Sequence, residues 1–347
     1  MQRLLKEYES IQHAADDLND TFASVFTEPP DWEFVQNMIT TDGLSWNVGT
    51  CITVGKTEQY LKKLKLRKSA GCDNLTARIL RECSSALCEP LSHLFSQSIS
   101  ECYVPAEWKV GNVVPIPKSK AKTKYDLRPV TLLPIVAKIL EKYVVSSVKT
   151  EIMEMYGDNQ FGFRPQVSTL HAHLELHDYI TSQLDQIETK GVLLISFDMM
   201  KAFDKLDYEA LFRTLSTSAV PRRFLCWLTS YFMNRSQRVV LKPNVCGTSL
   251  PVTSGVPQGS VLGPYLFAAH VGSFSSVSPA AKVFKYADDI MIVYPFSNVN
   301  SCDQVFNAEM KHMTDWCVTN GLTLNAEKTK AMIIGHYPHP VTNSREL

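Results

Sequence analysis

The chain is 347 residues long, 45% hydrophobic and 20% charged, and its 35 Lys and Arg balance 35 Asp and Glu. That is the composition of an ordinary soluble globular protein, with room for two or three domains or one large elongated one. No apolar run approaches the ~18–20 residues of a membrane span, and the N-terminus MQRLLKEYESIQHAADDLND is too acidic and polar for a signal or transit peptide. The nine cysteines are scattered, with no CxxC pair and no His/Cys cluster at metal spacing, which argues against zinc and for reduced thiols in the cytoplasm or nucleus.

Residues 1–50 read as a helix followed by a loop holding Pro29 and Pro30, an N-terminal helical extension. Residues 57–67 and 86–101 carry helical apolar spacing and are separated by the turn-like KSAGCDN. VGNVVPIPK reads as a strand and SKAKTKYDLRP as a basic loop. LPIVAKILEKYVVSSVKTEIMEMY and STLHAHLELHDYITSQLDQI have the spacing of long helices. GVLLISFD is a short, nearly continuous apolar run, as a strand covered on both faces would be. Helices follow at about 207–217 and 221–233, then two strands, QRVVLK and TSLPVT, framing a loop. After these come a glycine-rich segment, a helix, the hairpin KVFKYADDIMIVY, a helix near 302–319 and a final strand pair around 322–334. Strands with helices packed between them in mixed order predict an α+β sheet domain.

Charge is unevenly distributed. From Lys109 to Lys149 there are nine basic residues (Lys109, Lys118, Lys120, Lys122, Lys124, Arg128, Lys138, Lys142, Lys149) against Asp126 and Glu141, and LKKLKLRK at 61–68 adds a second cluster. Such runs are usually solvated faces, but two in one third of the chain favour a phosphate-rich partner. The first 35 residues are acidic, from Glu7 to Glu33.

The chemistry centres on carboxylates. Asp288 and Asp289 lie at the turn of the hairpin, where Asp is ordinarily just a solvated turn residue. Asp198 ends the buried GVLLISFD strand, while Asp207 is placed to cap the helix after it. If the strand and the hairpin share a sheet, Asp198 comes beside Asp288. Carboxylates gathered in this way repel one another unless a cation neutralises them. Hard oxygen donors without His or Cys favour Mg²⁺ or Mn²⁺. Paired divalent ions ~4 Å apart are a standard device for in-line phosphoryl transfer.

FDMMKAFD, SGVPQGSVLGPYLF and YADD, in that order, resemble the first three palm motifs of a reverse transcriptase. LKLRKSAGCDNLTARIL, VPAEWKVGNVVPIPK, YDLRPVTLLPIVAKILEKYV, QFGFRPQVSTLHAH and GLTLNAEKTKAMII are similar to the matching segments of LINE-type (non-LTR) retrotransposon polymerases, from about residue 57 to 335. The resemblance implies a right-hand polymerase fold: an N-terminal fingers segment at 51–97 and a fingers and palm domain at 98–347. It implies RNA-directed DNA polymerase activity with two Mg²⁺ or Mn²⁺ ions, an RNA template, a DNA primer and deoxynucleoside triphosphates. Asp198 and Asp288 become the principal metal ligands and Asp289 a less direct one. Phe203 falls where the family keeps an aromatic under the incoming sugar; without the resemblance it is an apolar core residue. Gln258 and Gly259 match the motif that contacts nucleotide and template, although Gly255, Gly259 and Gly263 also suit simple turns. Lys118 and Arg128 match fingers residues that hold the triphosphate, and Arg164 a support for template or nucleotide. Lys328 matches a lysine that protonates the pyrophosphate leaving group; otherwise it is an exposed strand lysine.

The chain ends at Leu347, a dozen residues past AMIIG, where the family continues into a primer-grip hairpin and a helical thumb. The expectation is therefore fingers and palm without a thumb, and a catalytically inactive or co-opted fragment that binds nucleic acid is the alternative. An RNA-directed RNA polymerase ranks lower, because that class typically has an Asp at the Phe203 position and an Asn in the middle motif.

Overall fold

The computed structural model describes residues 8–39, 46, 48, 51–67, 69–118, 123–241 and 245–335. Lys68, Lys120 and Lys122 of the basic runs lie outside the described residues. The strands are β1 (Val110–Pro117), β2 (Leu127–Leu132), β3 (Gly191–Phe197), β4 (Ser236–Leu241), β5 (Val245–Cys246), β6 (Leu250–Pro251), β7 (Lys282–Tyr286), β8 (Asp289–Phe296) and β9 (Lys330–Gly335). With the helices between them, this is a mixed αβ protein. No helix among the described residues is long and apolar enough to cross a membrane.

The chain forms two compact units. The first combines Met1–Glu151 with Leu215–Tyr265. Its sheet runs β2-β1-β4-β5, with β6 also paired to β4. β1 and β2 are antiparallel, from Asn112 opposite Leu132 to Pro117 opposite Leu127, and β4 lies parallel to β1. Val113, Leu127, Val239 and Leu241 turn inward and meet Ala14, Ala15, Leu18 and Phe22 of the helix Ile11–Ala23. Those four sit at helical spacing on one stripe, and burying that stripe stabilises a short helix more than its propensity does. Ser10 caps it, accepting from the His13 N–H.

The second unit combines Ile152–Thr214 with Leu266–Leu347. Its sheet runs β7-β8-β3-β9 and is antiparallel throughout. One face carries Val192, Leu194, Phe284 and Val293, packed against Leu176, Tyr179 and Ile180 of the helix Thr169–Leu184. Leu193, Ile195 and Phe197 are buried on the opposite face. The continuous apolar run of β3 therefore has the cause expected of it.

Four local readings change. SKAKTKYDLRP is not loop throughout, because Leu127 onward is β2; pairing with β1 overrides the basic, proline-containing composition. The loop after Pro30 gives way to a second helix, Trp32–Met38, started by Asp31 accepting from the Glu33 and Phe34 N–H groups. TSLPVT shrinks to the two residues of β6, where Pro251 has no N–H to continue a ladder. The strand pair predicted at 322–334 is a single strand, β9; Leu324 instead makes an isolated bridge to Met199.

Candidate active site

β3 ends in the ladder pair Phe197–Ile290 against β8. The next step of that register sets Asp198 opposite Asp289, on the face opposite to Phe197. β7 and β8 are joined by a two-residue turn, Ala287–Asp288, closed by the pair Tyr286–Asp289. Ala287 has a positive φ of 58°, unusual for a residue with a side chain. The three aspartates so meet at one end of the sheet. Asp289 registers this: local desolvation first, then the charges of Asp288 and Asp198, push its carboxyl above the ordinary range.

Asp198 is also held from the C-terminal side. Its backbone carbonyl accepts from the Asn325 N–H at 2.8 Å, and its Oδ1 accepts from Asn325 Nδ2 at 3.0 Å. Lys328 Nζ lies 3.7 Å from the same oxygen, although its side chain is 64% exposed. An ion pair this exposed contributes little stability, ~1 kcal/mol at most, so its position matters more for charge than for folding.

The carboxylates are hard oxygen donors at adjacent strand ends, the donor type that suits Mg²⁺ or Mn²⁺. Among the described residues no group of three or more His, Cys, Asp or Glu side chains is gathered closely enough to hold a metal ion by itself.

Phe203 sits on the short helix Ala202–Lys205 that follows Asp198. Its ring stacks on Phe267, with centroids 4.2 Å apart and planes at 22°, and meets Phe163 edge-on at 6.2 Å. The ring is half-buried and fixed from two sides. Arg164 is turned to its own loop: Nε donates to the Gln160 carbonyl at 2.6 Å, a terminal nitrogen donates to the Gly157 carbonyl, and the guanidinium lies over Tyr156. Beneath the hairpin, the face under the helix Thr169–Leu184 holds a cavity of about 340 Å³, lined among others by Phe161, His173, Ser196, Phe284 and Asp289.

Lys118, Arg128, Gln258 and Gly259 belong to the first unit. Ile116 pairs with Arg128 across the β1–β2 ladder, and the Lys118 N–H donates to the Asp126 carbonyl. Lys118 and Arg128 therefore project from one face of the hairpin, both exposed. The Thr131 N–H donates to the Gln258 carbonyl at 2.8 Å, which ties the PQG turn to the strand that carries Arg128. Gly259, at φ +136°, lies so close that a Cβ would stand 2.5 Å from the Thr131 carbonyl oxygen. Not all of the basic run is available to a ligand: Lys109 is buried, and Lys124 is paired with Asp17 at 2.7 Å.

Sequence patterns did not single out two buried ionisable residues near these motifs. Glu141 is fully enclosed in the first unit and accepts from the Val261 and Leu262 N–H groups and from Tyr231 Oη. Desolvation pushes its carboxyl up, against the lowering effect of those bonds and of Arg235. It anchors the SVLG segment just after Gln258 and Gly259. Lys285, directly before Tyr286, is 1% exposed and donates to the Gly272 carbonyl at 2.7 Å. Burial lowers its amine to about 8.

Lys285 yields a stability prediction. The folded chain gives up this proton near pH 8 and the unfolded chain only near 10.5, so the unfolded state binds more protons in that window and stability rises with pH there. At pH 7 the buried charge costs about 3 kcal/mol, partly offset by its bond to Gly272. Lys285→Met is expected to raise the thermal midpoint at pH 7 and to lose that advantage toward pH 10. Midpoints measured across pH 6–10 check this; a lower midpoint at pH 7 would mean that the Gly272 bond dominates.

The sequence profile of the family described as Reverse transcriptase (RNA-dependent DNA polymerase) matches residues 116–344. The chain belongs to the reverse transcriptase family. The curated relatives it matches include RNA-directed DNA polymerases of mobile elements. The RNA-directed DNA polymerase from mobile element jockey of Drosophila melanogaster is 26% identical over 292 residues, covering 80% of this chain and 31% of the relative. The probable RNA-directed DNA polymerase from transposon BS of the same organism is 27% identical over 294 residues, covering 80% of this chain and 32% of the relative. The chain thus spans about three tenths of the length of these curated relatives. A telomerase structure from Candida tropicalis, in complex with a fragment of telomeric RNA, shares 15% identity at a TM-score of 0.48, covering 75% of this chain and 45% of that one.

Proposed function

We propose that the chain is the fingers and palm of an RNA-directed DNA polymerase that adds deoxynucleotides to a primer 3′-OH on an RNA template. The observation that carries this reading is the convergence of Asp198, Asp288 and Asp289 at one sheet end, where desolvation and the charges of Asp288 and Asp198 push the Asp289 carboxyl up. Asp198 and Asp288 are the residues that would hold two Mg²⁺ or Mn²⁺ ions, with Asp289 supporting. Such ions, when bound, activate the attacking hydroxyl and neutralise charge on the phosphates. Lys328, beside Asp198, is placed to pass a proton to the leaving pyrophosphate. Phe203 blocks a 2′-hydroxyl on the incoming sugar. Lys118 and Arg128 hold phosphates, Arg being a planar donor suited to them, and Gln258 and Gly259 contact nucleotide and template. Arg164 supports template or nucleotide from the loop that it braces through the Gln160 and Gly157 carbonyls. Residues 51–97 form the N-terminal fingers segment ahead of the fingers and palm domain at 98–347.

Extension of a DNA primer on an RNA template, with deoxynucleotides and Mg²⁺, tests the reading directly. Dependence on both template and divalent ion supports it. No extension by well-folded protein, with nucleic-acid binding intact, would favour the inactive or co-opted fragment instead.

The phosphate role makes its own prediction. Nucleic-acid affinity should fall steeply with added salt, because each neutralised phosphate releases counterions and contributes about −0.9 to the log–log slope. Replacing both Lys118 and Arg128 with Ala should flatten that slope by roughly 2. Titrations between low and physiological salt measure it; an unchanged slope would remove these residues from the phosphate contacts.

A further inference from the structure

We infer that Gln160 is a positioning residue for the acidic hairpin: its buried side-chain carbonyl holds the Ala287 N–H, and with it the turn that aims Asp288. The inference rests on the polymerase reading, since it concerns the same carboxylates.

Residues 159–162 lie parallel to the end of β7. The Lys285 N–H donates to the Asn159 carbonyl at 2.7 Å, and the Phe161 N–H donates to the Lys285 carbonyl at 2.8 Å. Between these backbone bonds, the Gln160 side chain is fully buried. Its Oε1 accepts from the Gly162 N–H at 2.9 Å and from the Ala287 N–H at 3.1 Å. In a two-residue hairpin the first turn residue has no ladder partner for its N–H, so this bond fills a vacancy that the hairpin itself leaves. Gly162 presses against the same point: a Cβ there would stand 2.4 Å from the Ala287 nitrogen. Arg164, through Nε, fixes the Gln160 backbone carbonyl from the other side.

The cradle acts where the backbone is least at ease. Ala287 holds φ at +58°, a region that disfavours any Cβ and persists only where surroundings impose it. Asp288 is the next residue, so a turn that relaxed to another conformation would swing its carboxylate. Gln160 is also a poor residue for stability alone. Its Nε2 is buried with no hydrogen-bond partner among the described residues, and an unpaired buried donor is destabilising. A role limited to packing would be served as well by an apolar side chain of the same length.

Three variants separate aiming from packing. Gln160→Met keeps the length and removes the unpaired donor, but it leaves the Gly162 and Ala287 N–H groups without their acceptor, so its thermal midpoint should fall modestly while the protein stays folded. Exchange of the Ala287 amide with solvent should speed at least tenfold, because its bond is gone. Half-saturation by Mn²⁺, read by electron paramagnetic resonance, should rise several-fold. In primer extension kcat should fall roughly 10–100-fold with primer KM little changed, the signature of misplaced reacting groups rather than lost binding. Gln160→Glu keeps an acceptor and should keep the Ala287 amide protected. Adding Ala287→Gly to Gln160→Met should recover part of the Mn²⁺ affinity, since glycine takes positive φ unaided. Wild-type Ala287 exchange and Mn²⁺ half-saturation in folded Gln160→Met would overturn the inference; so would equal loss of protection in the Glu variant, which also decides the matter if the Met variant does not fold. A wild-type chain that extends no primer counts against the polymerase reading alone, because amide exchange and Mn²⁺ binding are measured without catalysis.

Discussion

With Asp288 replaced by asparagine, primer extension on an RNA template should drop about a thousandfold or more, the effect of losing several kcal/mol of charge stabilisation. Asparagine keeps the size of the side chain and its place in the Ala287–Asp288 turn, so the hairpin has no steric reason to change. The fold should not suffer. Desolvation and the charges of Asp288 and Asp198 hold the Asp289 carboxyl above its ordinary range. A carboxyl raised by folding is favourable in its protonated state, and that benefit is lost as pH rises above the unfolded value, leaving a net cost at neutral pH. Removing the Asp288 charge lessens that cost, so without divalent ions the variant should melt at or slightly above the wild-type temperature. Primer-extension rates together with melting curves at pH 7 check both halves. Wild-type turnover in the variant would remove Asp288 from the chemistry, and a large fall in melting temperature would make the activity loss merely structural.

The second large effect is on sugar choice. The Phe203 ring is held by Phe267 at 4.2 Å and by Phe163 at 6.2 Å, a few residues beyond Asp198. Exclusion of a hydroxyl requires a ring that does not yield, and two aromatic neighbours supply that stiffness. Phe203→Val should let ribonucleotides compete, cutting discrimination roughly 10–100-fold, the range over which one steric contact in a pocket ordinarily selects. Single-nucleotide incorporation with matched deoxy- and ribonucleotides gives the ratio. A folded, active variant with unchanged discrimination would make Phe203 a core residue only, and the RNA polymerase alternative would regain ground.

How far these features could be read in advance depended on the range of the interactions behind them. β3 was visible because it is buried on both faces, so its apolar run is nearly unbroken. The β7–β8 hairpin was visible because apolar runs flank two turn-forming aspartates, and the Asp207 cap because Asp207 bonds a backbone N–H only three residues away, at Ala210. β2 was hidden: Arg128 and Pro129 at its start, just after the basic stretch that ends at Lys124, give it the composition of a loop, and only pairing with β1 makes it a strand. Gln160 and Glu141 carried no local sign at all. Each serves backbone groups more than 100 positions away, 127 for Ala287 and 120 for Val261. Composition and periodicity do not report a bond of that span. Family motifs reached further, because phrases such as YADD and PQGS mark positions whose tertiary partners lie far along the chain.

The acidic stretch near the N-terminus bears on where this polypeptide can be cut. The helix Ile11–Ala23 grips the strands on its neighbouring sheet by their backbone: Gln12 donates to the Cys246 carbonyl, Asn19 donates to the Thr248 carbonyl, and Asp16 accepts from the Thr248 N–H. Asp17 meanwhile secures Lys124 at the entrance to β2. A shortened version beginning at residue 51 would uncover Val113, Val239 and Leu241, the kind of apolar surface that recruits other chains and drives precipitation. Boundaries drawn from the family phrases alone would therefore discard the helix that covers this apolar face.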